Sequence, residues 1–152
     1  MKLHNTLSGK KELLPAPEKG KPVRLFVCGP TVYDYLHIGN ARTYTVFDAF
    51  AKYLRARRIK VFYLQNITDI DDKIIVRAEQ EGVLPETIAK KYLAVYERNM
   101  RSLNVTAVDS HAPATEFIPQ IVAQVQTLIK KGFAYEIPGD GWYFDISKFK
   151  DY

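Results

Sequence analysis

The stretch Leu25-Phe-Val-Cys-Gly-Pro-Thr-Val-Tyr-Asp-Tyr-Leu-His-Ile-Gly-Asn40 decides how this chain is read. A continuous β-prone run, Val23–Val27, predicts a buried strand that ends at Cys28-Gly29. A Gly/Pro loop follows, and His37-Ile38-Gly39-Asn40 opens a helix. Val46, Phe47, Phe50 and Leu54 share one helical face and predict that helix from about Arg42 to Arg57. Open α/β sheets bind ligands at the carboxyl ends of their strands. Helix N-termini add free N–H groups and a positive dipole end, which suit phosphate. The segment therefore reads as a nucleotide site with a thiol beside it.

Working outward, Val61–Leu64 is a second short strand, leading into Asn66-Ile-Thr-Asp-Ile-Asp-Asp-Lys73. A helix beginning near Asp72 and stopping at Gly82 is expected next, then one from Pro85 with Ile88, Tyr92, Val95, Tyr96 and Leu103 on one face. Strand, helix, strand in this order make a parallel crossover unit of an α/β fold. The tail differs: Ile118, Ile121, Val122, Val125, Leu128 and Ile129 mark a periodic helix that Gly132 stops. Phe133–Ile137 and Trp142–Asp145 then flank Pro138-Gly139-Asp140-Gly141, a hairpin signal. The expected organisation is an N-terminal arm over 1–22 with one edge strand, half of a Rossmann-type sheet over 23–104, and a further segment over 105–152. Two parallel strands are too few for a doubly wound sheet, which has five or six. The chain is accordingly expected to be the N-terminal piece of something longer.

The bulk properties narrow the class. At 152 residues, 47% hydrophobic and 26% charged, the chain has an ordinary globular composition. No run reaches the ~18 apolar residues of a membrane span, and the first residues, Met1-Lys-Leu-His-Asn, lack the apolar core of a signal peptide. A cytoplasmic location with no membrane partner is expected. A single cysteine excludes an internal disulfide. The formal charge of +5 fits a polyanionic partner without requiring one.

Three blocks, Phe26-Val-Cys-Gly-Pro-Thr-Val-Tyr-Asp34, His37-Ile-Gly-Asn-Ala-Arg42 and Asn66-Ile-Thr-Asp-Ile-Asp-Asp-Lys-Ile-Ile75, resemble the class I aminoacyl-tRNA synthetases, and within them the cysteinyl-tRNA synthetase family. Weaker similarity runs from His4-Asn-Thr-Leu7 to Phe144–Tyr152, so nearly the whole chain is covered. The resemblance implies the first half of a Rossmann-type (HUP-like) catalytic domain followed by the start of an inserted connective domain. The rest of that insertion, the second catalytic half, a Lys-Met-Ser-Lys-Ser loop and a helical anticodon-binding region would lie outside these residues.

It also implies roles for individual residues. Read alone, Cys28 is equally a small core residue. In the family it is a zinc ligand, and the metal takes substrate cysteine as its thiolate. Zinc binds sulfur well and deprotonates a bound thiol. A site built around one specific interaction can discriminate by about 10⁴–10⁵, without editing. Zinc needs about four ligands, and His4, His37 and His111 have no ligand spacing to Cys28; the resemblance implies that the others lie beyond this chain. His37 is expected to stabilise charge on the ATP α-phosphate as pyrophosphate leaves. Gly39 would let adenine approach the backbone. Asn40 departs from the motif's final histidine and keeps a donor without a charge. Pro30 and Thr31 complete the expected ATP loop, with Mg²⁺ accompanying ATP. Gly29 and Thr68 are expected to hold substrate cysteine, although a strand-end hydroxyl can equally satisfy the local backbone.

Asp69, Asp71 and Asp72 are read as a helix cap with first-turn acids, not a magnesium site. Arg55, Arg57, Arg58 and Lys60 complement a helix C-terminus, and Lys90, Lys91, Arg98 and Arg101 form a solvated face. Tyr92, Tyr96, Phe117 and Phe133 are assigned to the core. The activity implied is a cysteine–tRNA ligase, taking L-cysteine, ATP and tRNA(Cys), with the oligomeric state open and a monomer favoured. This piece alone is expected to be inactive. The alternatives are a mycothiol-type cysteine ligase with a small amino-sugar acceptor, and a non-catalytic fragment.

Overall fold

A computed structural model describes residues 1–150; Asp151 and Tyr152, which close the segment expected over 105–152, lie outside the described residues. The chain divides into two units, Met1–Ala112 and the residues from Pro113 onward.

In the first unit, β1 (Lys2–Asn5) and β2 (Lys10–Leu13) form an antiparallel hairpin, one strand more than the sequence predicts for the arm. The turn closes because Asn5 Oδ1 accepts from the Leu7 N–H at 3.0 Å and Gly9 takes a left-handed φ of +67°. β3 (Val23–Val27) pairs in parallel with β4 (Val61–Ile67), in register from Val23 opposite Val61 to Val27 opposite Gln65. A third strand, β5 (Ser110–Pro113), lies on the far side of β4. It has no apolar alternation to announce it. Asp109 fixes the approach instead: its backbone N–H donates to the Tyr63 carbonyl at 2.9 Å, and its carboxylate accepts from the Tyr63 N–H at 2.7 Å.

Alternation along β4 sorts the layers. Tyr63, Gln65 and Ile67 are buried against the helices, while Phe62 points to the open face. Helix α1 (Ile38–Ala56) starts four residues before the expected Arg42. Its buried stripe is Tyr44, Asp48, Ala51 and Leu54, and Val46, expected on that stripe, is 56% exposed. The expected face was displaced because two polar residues, Tyr44 and Asp48, hold core positions. Asp48 Oδ1 accepts from the Thr106 and Ala107 N–H groups at 2.7 and 2.6 Å, and Lys52 pairs with its other oxygen at 2.7 Å. α2 (Asp72–Glu81) ends on Gly82 in the left-handed region, as predicted. α3 (Pro85–Ser102) buries Ile88, Tyr92, Tyr96 and Met100, while Leu103 falls past its end and is exposed.

The second unit holds a 3₁₀ turn (Ala114–Phe117), α4 (Ile118–Lys130), the hairpin β6 (Ala134–Ile137) and β7 (Gly141–Phe144), and a 3₁₀ turn at Ile146–Lys148. Phe133 packs on Phe144 and Phe149 with ring centroids 6.4 and 6.0 Å away. Phe117, assigned to the core from sequence, is 42% exposed, because the chain turns there into α4. Among the described residues no helix is long and apolar enough to cross a membrane.

The core of the first unit is rich in buried hydroxyls. Tyr96 donates to Gln65 Oε1 inside it, and Tyr44 packs edge-on to Tyr96. Burial pushes the Tyr63 hydroxyl up to about 12, and it raises those of Tyr44 and Tyr96 as well. An unfolded tyrosine ionises near pH 10, so above that pH the unfolded chain binds fewer protons than the folded one. Stability is therefore fully present below about pH 10 and falls as the pH rises towards 12. Urea melts across this range should show that loss, with Tyr44, Tyr63 and Tyr96 ionising by absorbance only as the chain unfolds.

Candidate active site

The parallel ladder ends at Val27 opposite Gln65, and the candidate site residues begin one step later. Alternation puts Cys28 on the open face with Arg24 and Phe26, and its thiol is exposed. A core role for Cys28 is thereby ruled out.

Gly29 comes next, against β4. Its N–H donates to Asn66 Oδ1 at 2.7 Å. A Cβ at this position would sit 1.7 Å from the Asn66 carbonyl oxygen, so only glycine fits. The pairing then resumes: the Thr68 N–H donates to the Pro30 carbonyl at 2.9 Å, and the Val32 N–H to the Thr68 carbonyl at 3.1 Å. Thr31 and Thr68 thus form an isolated parallel bridge beyond the strands. The structure brings Cys28, Gly29, Pro30, Thr31 and Thr68 together at one sheet end. The Asn66 side chain ties Gly29 to Thr68, because its Nδ2 also donates to Thr68 Oγ1 at 3.3 Å.

His37 is the N-cap of α1, with extended backbone (φ −73°, ψ 147°). Its Nδ1 accepts from the Gly39 N–H at 3.1 Å. A nitrogen that accepts carries no proton, so the neutral ring has its N–H on Nε2. The ring is exposed, as are Gly39 and Asn40. This changes the expected picture of the helix N-terminus: one of its free amides is used by the histidine itself, and a ring N–H faces outward in its place. His37 thus bonds within its own turn and not to the strand-end group. Tyr44 lies one helical turn after Asn40, on the buried stripe of α1. Burial is the main cause of its raised proton affinity; the Asn40 amide acts against it and Cys28 adds to it.

The other candidates resolve locally. Asp71 Oδ1 caps α2 by accepting from the Lys73 N–H at 2.9 Å, with Asp72 in the first turn. Arg55 pairs with Asp109 at 2.6 Å, and Lys91 with Glu81 at 3.0 Å. His111 packs edge-on to Tyr96 and burial lowers its proton affinity, while His4 lies on β1. Among the described residues no three His, Cys, Asp or Glu side chains converge as metal ligands. A zinc ion therefore does not fit these residues as a self-sufficient site; they offer one thiol.

The family model described as "tRNA synthetases class I (C) catalytic domain" matches residues 15–152. The chain belongs to this family. Proteins named cysteine–tRNA ligase are similar along all 152 residues: that of Thermoplasma volcanium is 49% identical, that of Brevibacillus brevis 47% and that of Pyrococcus abyssi 46%. The chain spans about a third of the length of these relatives, 31–33%. Among solved structures, Mycobacterium tuberculosis methionyl-tRNA synthetase in complex with methionyl-adenylate superposes with a TM-score of 0.69 at 22% identity, over 76% of this chain and 23% of that one. That likeness shows the Rossmann-like α/β fold.

Within this synthetase framework, sequence reasoning quoted Asn66 but gave it no role. Its signal was position: an amide at the end of the second strand, in parallel register just past the partner of Val27. The Arg77 hub was missed altogether. Arg77 donates to Glu81 at 2.7 Å and to the Tyr92 hydroxyl at 3.0 Å, and it lies 3.5 Å from Asp34 in the loop between Cys28 and His37. Nothing in the spacing of Asp34 and Arg77 marks them as partners.

Two outcomes follow from this geometry. Gly29→Ala should lower stability by about 3 kcal/mol or more, because the strand ends must part to admit the methyl group; urea melts measure it, and a loss under about 1 kcal/mol would contradict the close approach. The 152-residue chain, purified without chelators, should retain only substoichiometric zinc by elemental analysis.

Proposed function

We propose that this chain supplies the N-terminal catalytic portion of a cysteine–tRNA ligase. The observation that carries the reading is the Cys28-Gly29 strand end: an exposed thiol next to a glycine bonded to Asn66, in a chain similar along all 152 residues to proteins of that name. The reaction is attack of the cysteine carboxylate on the α-phosphate of ATP. A P–O bond forms to the carboxylate and the bond to the leaving pyrophosphate breaks. The resulting cysteinyl-adenylate then passes its acyl group to a 3′-terminal hydroxyl of tRNA(Cys).

In this reading Gly29 and Thr68 border the amino acid, and Pro30, Thr31, Gly39 and Asn40 border the nucleotide. His37 donates from Nε2 to the α-phosphate region as negative charge moves to the departing oxygen. It works as a placed neutral donor, with its orientation set by the bond from Gly39 to Nδ1. Cys28 is one ligand of a zinc site whose other donors lie outside these residues. Mg²⁺ accompanies ATP as its counterion. Division of the chain into a catalytic half over 23–104 and the start of an insertion over 105–152 belongs to the same proposal.

The test is cysteine-dependent ATP–pyrophosphate exchange by a chain of the relatives' full length carrying this segment, with tRNA and an amino-sugar acceptor compared in the transfer step. His37→Asn separates structure from catalysis, because asparagine is a good N-cap but lacks the ring donor. It should keep thermal stability near wild type while exchange falls about 10²–10³-fold. Exchange within about threefold of wild type would overturn the role of His37.

A further inference from the structure

We propose that Asn66 is a positioning residue that keeps the Thr68 hydroxyl proton free for an acceptor atom of the bound amino acid, namely its carboxylate; this rests on the reading above that Thr68 borders the amino acid. The orientation of the Asn66 amide follows from its neighbours. The Gly29 backbone N–H can only donate, so the amide atom 2.7 Å from it is Oδ1. Nδ2 must then face Thr68 Oγ1, which it does at 3.3 Å. Nδ2 has no lone pair to offer, so the hydroxyl accepts there and turns its proton elsewhere.

Among the described residues no backbone carbonyl accepts that proton, and the residue's own backbone is engaged in the strand-end pairing. The Thr68 N–H is committed to the Pro30 carbonyl at 2.9 Å, and the Thr68 carbonyl already accepts from Val32 at 3.1 Å. These two bonds also hold the residue still. Among the described residues the strand-end hydroxyl donates to no partner, and its O–H is left over in a half-buried position linked to Gly29 through the Asn66 amide. On a free amino acid the ammonium group only donates, whereas the carboxylate accepts. A free O–H pairs with the second.

Asn66→Asp reverses the polarity at one point. The aspartate carboxylate still accepts from the Gly29 N–H, so the close approach of the strands survives. It cannot donate to Thr68, and it takes up the hydroxyl proton instead. In a chain of the relatives' full length, Asn66→Asp should raise the amino-acid KM in ATP–pyrophosphate exchange by about tenfold or more, with the ATP KM within about twofold of wild type. Thr68→Val should show the same split, and Asn66→Asp should add nothing in the Thr68→Val background. An unchanged or lowered amino-acid KM in Asn66→Asp overturns the proposal. So does an equal further rise in the Thr68→Val background, which would mean that the new charge acts without Thr68.

A second measurement needs no turnover and uses the 152-residue chain. In NMR spectra the Asn66 side-chain amide protons should lose their hydrogen-bonded shift in Thr68→Val while the Gly29 amide keeps its own. Asn66 amide protons that do not respond overturn the polarity. An inactive wild type with responding amide protons would instead sink the assigned reaction and leave the polarity standing.

Discussion

The rest of the site depends on the approach of Gly29 to the backbone of Asn66. Two parallel strands would ordinarily splay once their ladder ends, and β3 and β4 reach that point at Val27 and Gln65. Here the missing Cβ lets the chain lie where a methyl group would overlap the Asn66 carbonyl oxygen at 1.7 Å. The Asn66 amide then stands in for a ladder bond, and pairing resumes at Thr31 and Thr68. Cys28 is consequently held between two fixed points, a strand pair on one side and the Gly29–Asn66 bond on the other. An exposed thiol on a free loop would sample many positions; this one is aimed by backbone.

The support beneath is polar as well as apolar. Gln65, fully buried, is anchored by the Tyr96 hydroxyl from α3. Asp48, nearly as buried, accepts from two backbone N–H groups of the segment that leads into β5. Backbone donors left without a partner in a core are costly, so these bonds fix the order of the elements and not just their contact. The loop between Cys28 and His37 is tied by a more exposed set: Arg77 to Asp34, Tyr35 edge-on to Tyr92 at 5.5 Å, and Lys73 over the Tyr33 ring at 5.4 Å. Solvent screens such pairs. Their value is angular, since together they set the direction from which the loop enters α1.

What could be read from the sequence follows from how local each cause is. The strand at Val23–Val27, the Gly82 stop, the start at Pro85 and the hairpin flanking Pro138–Gly141 have local causes, and the structure places all of them. The buried face of α1 was misjudged because hydrophobicity alone selects Val46, while the fold buries Asp48 for bonds to residues almost sixty positions away. β5 went unseen for the same reason: Asp109 and not apolar alternation places it. At the site, the blocks around Cys28, His37 and Thr68 stood out by their resemblance, in order and spacing, to those of the synthetase family. The amide that joins two of them did not, because a hydrogen bond between residues 29 and 66 leaves no periodic trace.

The self-capped histidine shows a choice between two kinds of donor. A helix N-terminus offers phosphate its unpaired backbone amides and the positive end of its dipole. In this chain the Gly39 amide points instead into the His37 ring, which gives up a backbone donor. In exchange, the ring is held by that bond with its remaining N–H on Nε2, in an exposed side chain. A lysine or arginine there would also attract the bound nucleotide strongly through its full charge. On the proposed reaction, a neutral, oriented N–H would contribute most where charge accumulates on one particular oxygen, favouring the transition state over the bound nucleotide. The neighbouring Asn40 fits the same logic: it keeps a donor where the motif's usual histidine could carry charge. On the proposed reaction, the segment from His37 to Asn40 is built to discriminate between stages of adenylyl transfer, while the strand end at Cys28 discriminates between amino acids.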